Sequence, residues 1–264
     1  MRNPKFLSVI ALLVFVGAII PDRAVGQSPA TVFNFESGNY GYEPGAVVLA
    51  KNGDLVALTT FGGTEGGGTV VKITPSGQAV TQYNFGGEDE PQGLMLGQDG
   101  NLYGTTYTGG AQGNGQIFEI TGRKLKTIYS FCSQTNCTDG SEPESGVVRT
   151  KDGTLYGVTS AGGTHTCVTG LDCKVVYSLG PNGVLTTLYD FCSQANCTDG
   201  ALSMGLTLGR DGNLYGTTAY GGTTNCPPYG CGTIFRSRRK VCLQRCTRFA
   251  ARTNARMAQS QGRL

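Results

Sequence analysis

The chain repeats itself. Asp211-Gly-Asn-Leu-Tyr-Gly-Thr-Thr218, followed by Gly221-Gly222, recurs as Asp99–Thr106 with Gly109-Gly110. It recurs again as Asp152-Gly-Thr-Leu-Tyr-Gly-Val-Thr159 with Gly162-Gly163, and more weakly as Asn52–Thr60 with Gly62-Gly63. Any fold must use one unit about four times, over 31–80, 81–126, 127–185 and 186–240. A period of roughly fifty residues is long for a solenoid coil and suits a propeller blade.

The third copy resolves into four short strand signals. Gly146–Thr150 comes first, and Lys151-Asp-Gly153 is a hairpin turn into Thr154–Thr159. After a glycine-rich loop, Lys174–Ser178 is third, and Gly180-Pro-Asn-Gly183 turns it into Val184–Tyr189. These segments are β-branched and aromatic, and Gly, Asn, Asp and Pro bound them. No sustained helical period appears between 27 and 235. The expected fold is all-β, a β-propeller of four-stranded blades, with an open stack of small antiparallel sheets as the alternative. Thr31–Phe35 reads as a fourth strand without its own first three, able to complete the last blade and close a ring.

Strand alternation sorts the loops. Both hairpin turns of each unit share one face and are short and nearly constant. The second-to-third and fourth-to-first loops share the other face and vary. Eight cysteines lie there as local pairs, Cys132/Cys137, Cys167/Cys173, Cys192/Cys197 and Cys226/Cys231. Behind an export signal, disulfides stapling these loops are the natural reading. Metal binding would want closer ligand spacing and more than the single His165. The first two copies lack cysteine, so the blades do not depend on it. The longest insertions are Thr164–Cys173 and Thr223–Cys231, and Thr164, His165, Thr166, Asp172, Asn225 and Tyr229 are the candidate binding residues.

The formal net charge of +3 hides three unlike regions. Residues 27–235 hold 9 Lys+Arg against 17 Asp+Glu, whereas 236–264 hold 9 basic residues and no acid. An acidic body argues against nucleic acid. At the N-terminus, Arg2 and Lys5 precede the apolar run Phe6–Ile20, and Ala24-Val25-Gly26 puts small residues at a cleavage position. The run is short for a membrane span. Residues 1–26 are expected to be a signal peptide, with no span after cleavage and a secreted or surface location. The alternative is an uncleaved anchor.

The basic tail at 241–264 fits no strand of the repeat. Read one frame back, Cys246/Thr247 permits Tyr, Phe249/Ala250 and Asn254/Ala255 permit Cys, Arg256/Met257 permits Asp, and Met257/Ala258 requires Gly. That spelling matches Leu185–Gly200, with the spacing one nucleotide short. The tail is expected to be a frameshifted fifth repeat. Cys242 and Cys246 would then be accidental.

Phe131-Cys-Ser-Gln-Thr-Asn-Cys-Thr-Asp-Gly140, its second copy at 191–200, the Asp-Gly-Asn-Leu-Tyr-Gly-Thr-Thr motif and Gly232-Thr-Ile-Phe235 together resemble the GloVer tandem-repeat family of exported bacterial proteins. The resemblance covers about 31–235. It implies a propeller-like fold and, in many members, a C-terminal anchoring signal, which is not visible here. It assigns no catalytic residues.

Chemistry is sparse. Acidic residues gather in fourth-to-first loops: Glu88-Asp-Glu90, then Asp139 with Glu142 and Glu144, then Asp199. Such oxygens can hold Ca²⁺, but Asp139-Gly140 and Asp199-Gly200 read as turn formers, and no cofactor is expected. Tyr103, Tyr156 and Tyr215 recur at one position and are expected to pack between blades rather than stack on sugars. Three readings remain. The first is a non-catalytic, monomeric exported protein binding an extracellular carbohydrate, peptide or cell-envelope partner through stapled loops. The second is a propeller lyase or hydrolase with a central-channel site, which should show unique polar residues breaking the repeat. The third is a structural surface repeat or a truncated product without function.

Overall fold

The structure is a computed structural model that describes residues 30–35, 38–165, 174–222 and 230–238. By internal contacts the chain divides into Met1–Val32 and a unit from Phe33 onward, and every element below belongs to the second. The signal peptide expected at 1–26 and the tail at 241–264 lie outside the described residues.

Among the described residues fifteen strands form four antiparallel meanders. Blade 1 holds β1 (Tyr42–Leu49), β2 (Leu55–Phe61), β3 (Gly66–Ile73) and β4 (Ala79–Gly86). Blade 2 holds β5 (Pro91–Leu96), β6 (Leu102–Thr106), β7 (Gln116–Thr121) and β8 (Lys124–Ser130). Blade 3 holds β9 (Val148–Arg149), β10 (Leu155–Val158), β11 (Val175–Leu179) and β12 (Leu185–Asp190). Blade 4 holds β13 (Ala201–Leu208), β14 (Leu214–Tyr220) and β15 (Thr233–Ser237). The blades pack face to face in a β-propeller-like arrangement. First strands of neighbouring blades approach one another, β1 to β5 and β9 to β13, which places them nearest the axis.

The repeated Leu-Tyr-Gly motif has a packing cause. Gly104, Gly157 and Gly216 sit opposite Phe118, Tyr177 and Phe235 across the second and third strands. A Cβ added at each would stand 2.4, 2.3 and 2.4 Å from that aromatic side chain. The glycine is the space into which the ring folds. Blade 1 solves the same problem with smaller partners, Ala57 opposite Val71.

That ring then receives the previous blade. Each complete blade ends in Tyr-x-Phe, and its buried Phe meets the next blade's third-strand aromatic edge-on. The centroid distances are 5.2 Å for Phe85–Phe118, 5.1 Å for Phe131–Tyr177 and 5.1 Å for Phe191–Phe235. Three apolar clusters therefore join blades 1–2, 2–3 and 3–4. Tyr103 is buried in the cluster between blades 2 and 3, as expected; Tyr156 is also buried, while Tyr215 is half-exposed on blade 4.

Two segments differ from expectation. The first strand of blade 3 pairs at Val148 and Arg149 alone among its described residues, and upstream of it the Ser145 carbonyl accepts the Thr105 hydroxyl of blade 2 at 2.9 Å. Residues 31–35 form no strand. Instead Phe33 and Phe35, in T-shaped contact at 5.1 Å, cover Ala57, Val71 and Ile73 on the outer face of blade 1. They stand where a preceding blade's Tyr-x-Phe would stand.

Candidate functional site

The hairpin face is architectural. Asp99, Asp152 and Asp211 each accept the N–H two residues on, at 3.1, 3.3 and 3.1 Å, closing Asx turns. The Tyr103 and Tyr215 hydroxyls donate back to Asp99 and Asp211 at 2.8 and 2.6 Å. The Asp211 carboxyl is held down to about 2 by hydrogen bonds from Tyr215 and Asn213. Burial and its hydrogen bonds to Asp99 and Glu119 push the Tyr103 phenol up to about 12. Arg149 stacks over the Tyr103 ring at 4.6 Å and pairs with Asp99 at 2.7 Å, tying blade 3 to blade 2.

The opposite face holds two loops that are built alike. Between β8 and β9, Cys132 and Cys137 are disulfide-bonded; between β12 and β13, Cys192 and Cys197 are. Within each disulfide-closed turn, three non-glycine residues hold left-handed backbone: Cys132, Asn136 and Cys137, and Cys192, Asn196 and Cys197. Such conformations cost about 1–3 kcal/mol each and persist only where surroundings over-determine them. Here a buried aspartate does so. Asp139 Oδ2 accepts the Tyr129 hydroxyl at 2.7 Å, the Ser133 N–H at 3.0 Å and the Ser133 hydroxyl at 2.9 Å, while Oδ1 accepts the Gln134 N–H at 3.2 Å. Asp199 Oδ2 repeats the first three with Tyr189 and Ser193 at 2.7, 3.0 and 2.9 Å. Burial, with the Asp139 hydrogen bond, pushes the Tyr129 phenol up to about 12, and Tyr189 is raised likewise.

What the pinned loops present is uncharged. Ser133-Gln134-Thr135-Asn136 and Ser193-Gln194-Ala195-Asn196 face solvent. The Gln134 and Gln194 side-chain carbonyls accept the Thr138 and Thr198 hydroxyls, both at 3.2 Å, so even these amides are oriented. The Cys137 carbonyl accepts the Gly163 N–H at 3.0 Å, which joins the first loop to the next blade.

Of the residues singled out from the sequence, Thr164 and His165 are described and converge on Asp190. Its Oδ2 accepts the Thr164 N–H at 2.5 Å and hydroxyl at 2.7 Å, and lies 3.0 Å from His165 Nδ1. Thr166, Asp172, Asn225 and Tyr229 lie outside the described residues, as do Cys167, Cys173 and Cys226; Cys231 is disulfide-bonded. Sequence reasoning missed Asp190, although its register was readable. Asn84, Ser130 and Asp190 all stand between the Tyr and Phe of Tyr-x-Phe, and each accepts the N–H after a Gly-Gly pair.

It also missed Lys174. Where blades 1, 2 and 4 carry left-handed Gly68, Gly115 and Gly232 at the entry to the third strand, blade 3 carries a fully buried lysine. Its ammonium meets Glu144 Oε2 at 2.9 Å, and Glu144 is half-exposed. Beside it the Glu142 carboxylate accepts the Tyr107 hydroxyl at 2.9 Å. Of the acidic residues considered for Ca²⁺, Glu142 and Glu144 are thus engaged with protein groups, as are Asp139 and Asp199 with their own loops and Asp89 with the Gly86 N–H at 3.0 Å and Gln116 at 3.3 Å. Among the described residues no group of three or more His, Cys, Asp or Glu is placed to hold a metal ion. None of their helices is long and apolar enough to cross a membrane.

A family model, the Gloeobacter/Verrucomicrobia repeat, matches residues 17–235. The chain belongs to this family. Membership in the Gloeobacter/Verrucomicrobia repeat family places it among exported bacterial proteins. No curated protein matches the chain. Similar solved structures include a streptogramin B lyase, at 12% identity and TM-score 0.45 over 76% of this chain and 53% of that one. A putative gluconolactonase shows 15% identity and TM-score 0.46 over 72% and 62%. An ulvan lyase of a polysaccharide lyase family shows 11% and 0.45 over 76% and 53%. The chain therefore spans between 53% and 62% of those chains. Likeness at this level carries neither activity nor ligand to the present chain.

Proposed function

We propose that this exported repeat protein is a non-catalytic binding module that takes a carbohydrate, peptide or other cell-envelope polymer on its variable-loop face. The observation that carries the reading is the duplicated loop at 132–139 and 192–199. Two adjacent blades hold the same strained backbone in place with a disulfide and a buried aspartate. Both direct oriented amides and hydroxyls, with no charge, toward solvent. Ordering a loop before binding removes a cost that association otherwise carries, and strain held at one place is a pointer to function. Uncharged amides suit a hydroxyl-rich polymer better than a charged one, so a neutral polysaccharide is the favoured class. Two equal loops suit a ligand that itself repeats.

The test is an array of neutral and acidic glycans, peptides and cell-wall fragments probed with the chain and with a variant carrying Gln134→Ala, Asn136→Ala, Gln194→Ala and Asn196→Ala. Binding to one ligand class, lost in that variant and kept with Asn213→Ala on the hairpin face, supports the reading. Binding that ignores the four loop changes rejects it.

A second reading, a lyase or hydrolase, draws on one observation. Lys174 with Glu144, beside Glu142 with Tyr107, is a polar constellation that breaks the repeat in blade 3 alone among the described blades. Its ammonium is fully buried, which favours a structural ion pair over a group that meets substrate.

A further inference from the structure

The first and last described blades expose opposite halves of the same interface. On the side of blade 4 that would face a following blade, Ile234 is 78% exposed. Its equivalents Val70, Ile117 and Val176 are each 0% exposed under the next blade. On the side of blade 1 that would face a preceding blade, Val47 and Leu49 are 63% and 68% exposed. Their equivalents in blade 2 are Leu94 and Leu96, which pack into the cluster shared with blade 1. No apolar cluster of the described residues joins blades 1 and 4.

The edges are complementary too. Among the described residues blade 4 is a three-stranded sheet in which β15 pairs with β14. Phe33-Asn34-Phe35 has the text and the packing of a Tyr-x-Phe fourth strand but no sheet of its own. Its ring pair, at 5.1 Å and 84°, repeats Tyr83–Phe85 at 5.0 Å and 79° and Tyr189–Phe191 at 5.1 Å and 79°.

We propose that blade 4 docks blade 1 of a second copy, and that Phe33-Asn34-Phe35 of each copy is the fourth strand of the other's blade 4. The occupant is specified by the molecule itself. What covers a blade's forward face at all three internal junctions is the next blade's back face, and blade 1 carries the uncovered one. Junctions within the chain are held by buried clusters, whereas no such cluster of the described residues ties blade 4 to blade 1 of its own copy. Two copies exchanging the same pair of surfaces close on themselves with two-fold symmetry, leaving no raw strand edge. This departs from the monomer expected from the sequence.

The register follows from the complete blades. Thr69 pairs Asn84 and Val70 pairs Tyr83; Gln116 pairs Ser130 and Ile117 pairs Tyr129; Val175 pairs Asp190 and Val176 pairs Tyr189. Across the new junction Thr233 should pair Asn34, and Ile234 should pair Phe33. Antiparallel partners bring Cβ atoms to roughly 4.5–5.5 Å, within reach of a disulfide after slight adjustment.

The experiment combines sedimentation with cross-linking on the full chain. At micromolar concentration the chain should sediment as a dimer. Ile234→Asp and Val47→Asp should each weaken the dimer at least about tenfold. Both side chains are exposed in the single copy, so an unchanged unfolding midpoint after dilution to monomer shows that the fold is intact. Oxidised Asn34→Cys/Thr233→Cys should run as a covalent dimer without reductant, with the linked peptides identified by mass spectrometry. A wild-type monomer, a species larger than a dimer, or a link confined to one chain would each overturn the proposal. The last would show closure within a copy.

Discussion

Tyr177 is the sharpest place to test the packing account. Its side chain is fully buried between blades 2 and 3, and its hydroxyl has no hydrogen-bond partner. The ring lies over Gly157, and blades 2 and 4 place Phe118 and Phe235 at the same position. An unpartnered buried hydroxyl costs about 1–3 kcal/mol of desolvation, and an apolar group of the same shape does not incur it. Tyr177→Phe should therefore stabilise the protein by about 1 kcal/mol or more, raising the melting temperature by about 2–4 °C for a domain of this size. Burial also raises the Tyr177 phenol far above its ordinary value. An unfolded tyrosine releases its proton near pH 10, whereas the buried one keeps it. Above that pH the folded state holds a proton that the unfolded state has lost, so stability falls as pH rises. The advantage of Tyr177→Phe should then widen by about 1.4 kcal/mol per pH unit. Urea unfolding of both proteins between pH 7 and 11.5 measures both effects. A variant destabilised by 0.5 kcal/mol or more at pH 7, or a gap that does not grow with alkali, would refute the reasoning.

Asp139→Ala removes four hydrogen bonds to a buried carboxylate and should cost about 3 kcal/mol in chemical denaturation. The Ser133 and Gln134 amides should lose hydrogen-exchange protection, and protection kept there would contradict the pinning role. The Lys174–Glu144 pair should respond unequally. Lys174→Met leaves a half-exposed carboxylate and should change stability by less than about 1 kcal/mol, whereas Glu144→Ala strands a buried ammonium and should cost about 3 kcal/mol. Equal costs in thermal unfolding would show that burial does not set the balance. Phe131→Ala should destabilise by about 3–5 kcal/mol, because the side chain is fully buried and meets two rings. A loss below 1 kcal/mol would mean that the blade 2–3 junction rests on something else.

The fold was legible because its determinants are local. Asp-Gly and Pro-Asn-Gly mark hairpins without reference to neighbours, and Leu-Tyr-Gly opposite an aromatic is a two-strand device. All four strands of blade 3 appear where the text placed them, with β9 reduced to Val148–Arg149. The stapled loops were legible from cysteine spacing, and Cys132–Cys137 and Cys192–Cys197 form as expected. The interior of the site was less so. Asp139 looked like a turn former or a cation ligand, and only the return of Tyr129 and Ser133 from across the loop shows that it is the loop's own anchor. Lys174 read as the first residue of a strand, since nothing in a single strand reveals that its ammonium is enclosed. Phe33–Phe35 had the right text for a fourth strand and lacks the sheet to join.

Hydrogen exchange with and without a bound polymer tests the central claim most directly. Once an array has supplied a neutral glycan, the backbone amides of 135–136 and 195–196 should slow together on saturation. Those of the hairpin turns at 97–101 and 209–213 should not change. Protection confined to the hairpin face, or found in one stapled loop and absent from the other, would contradict a binding face built from repeated loops.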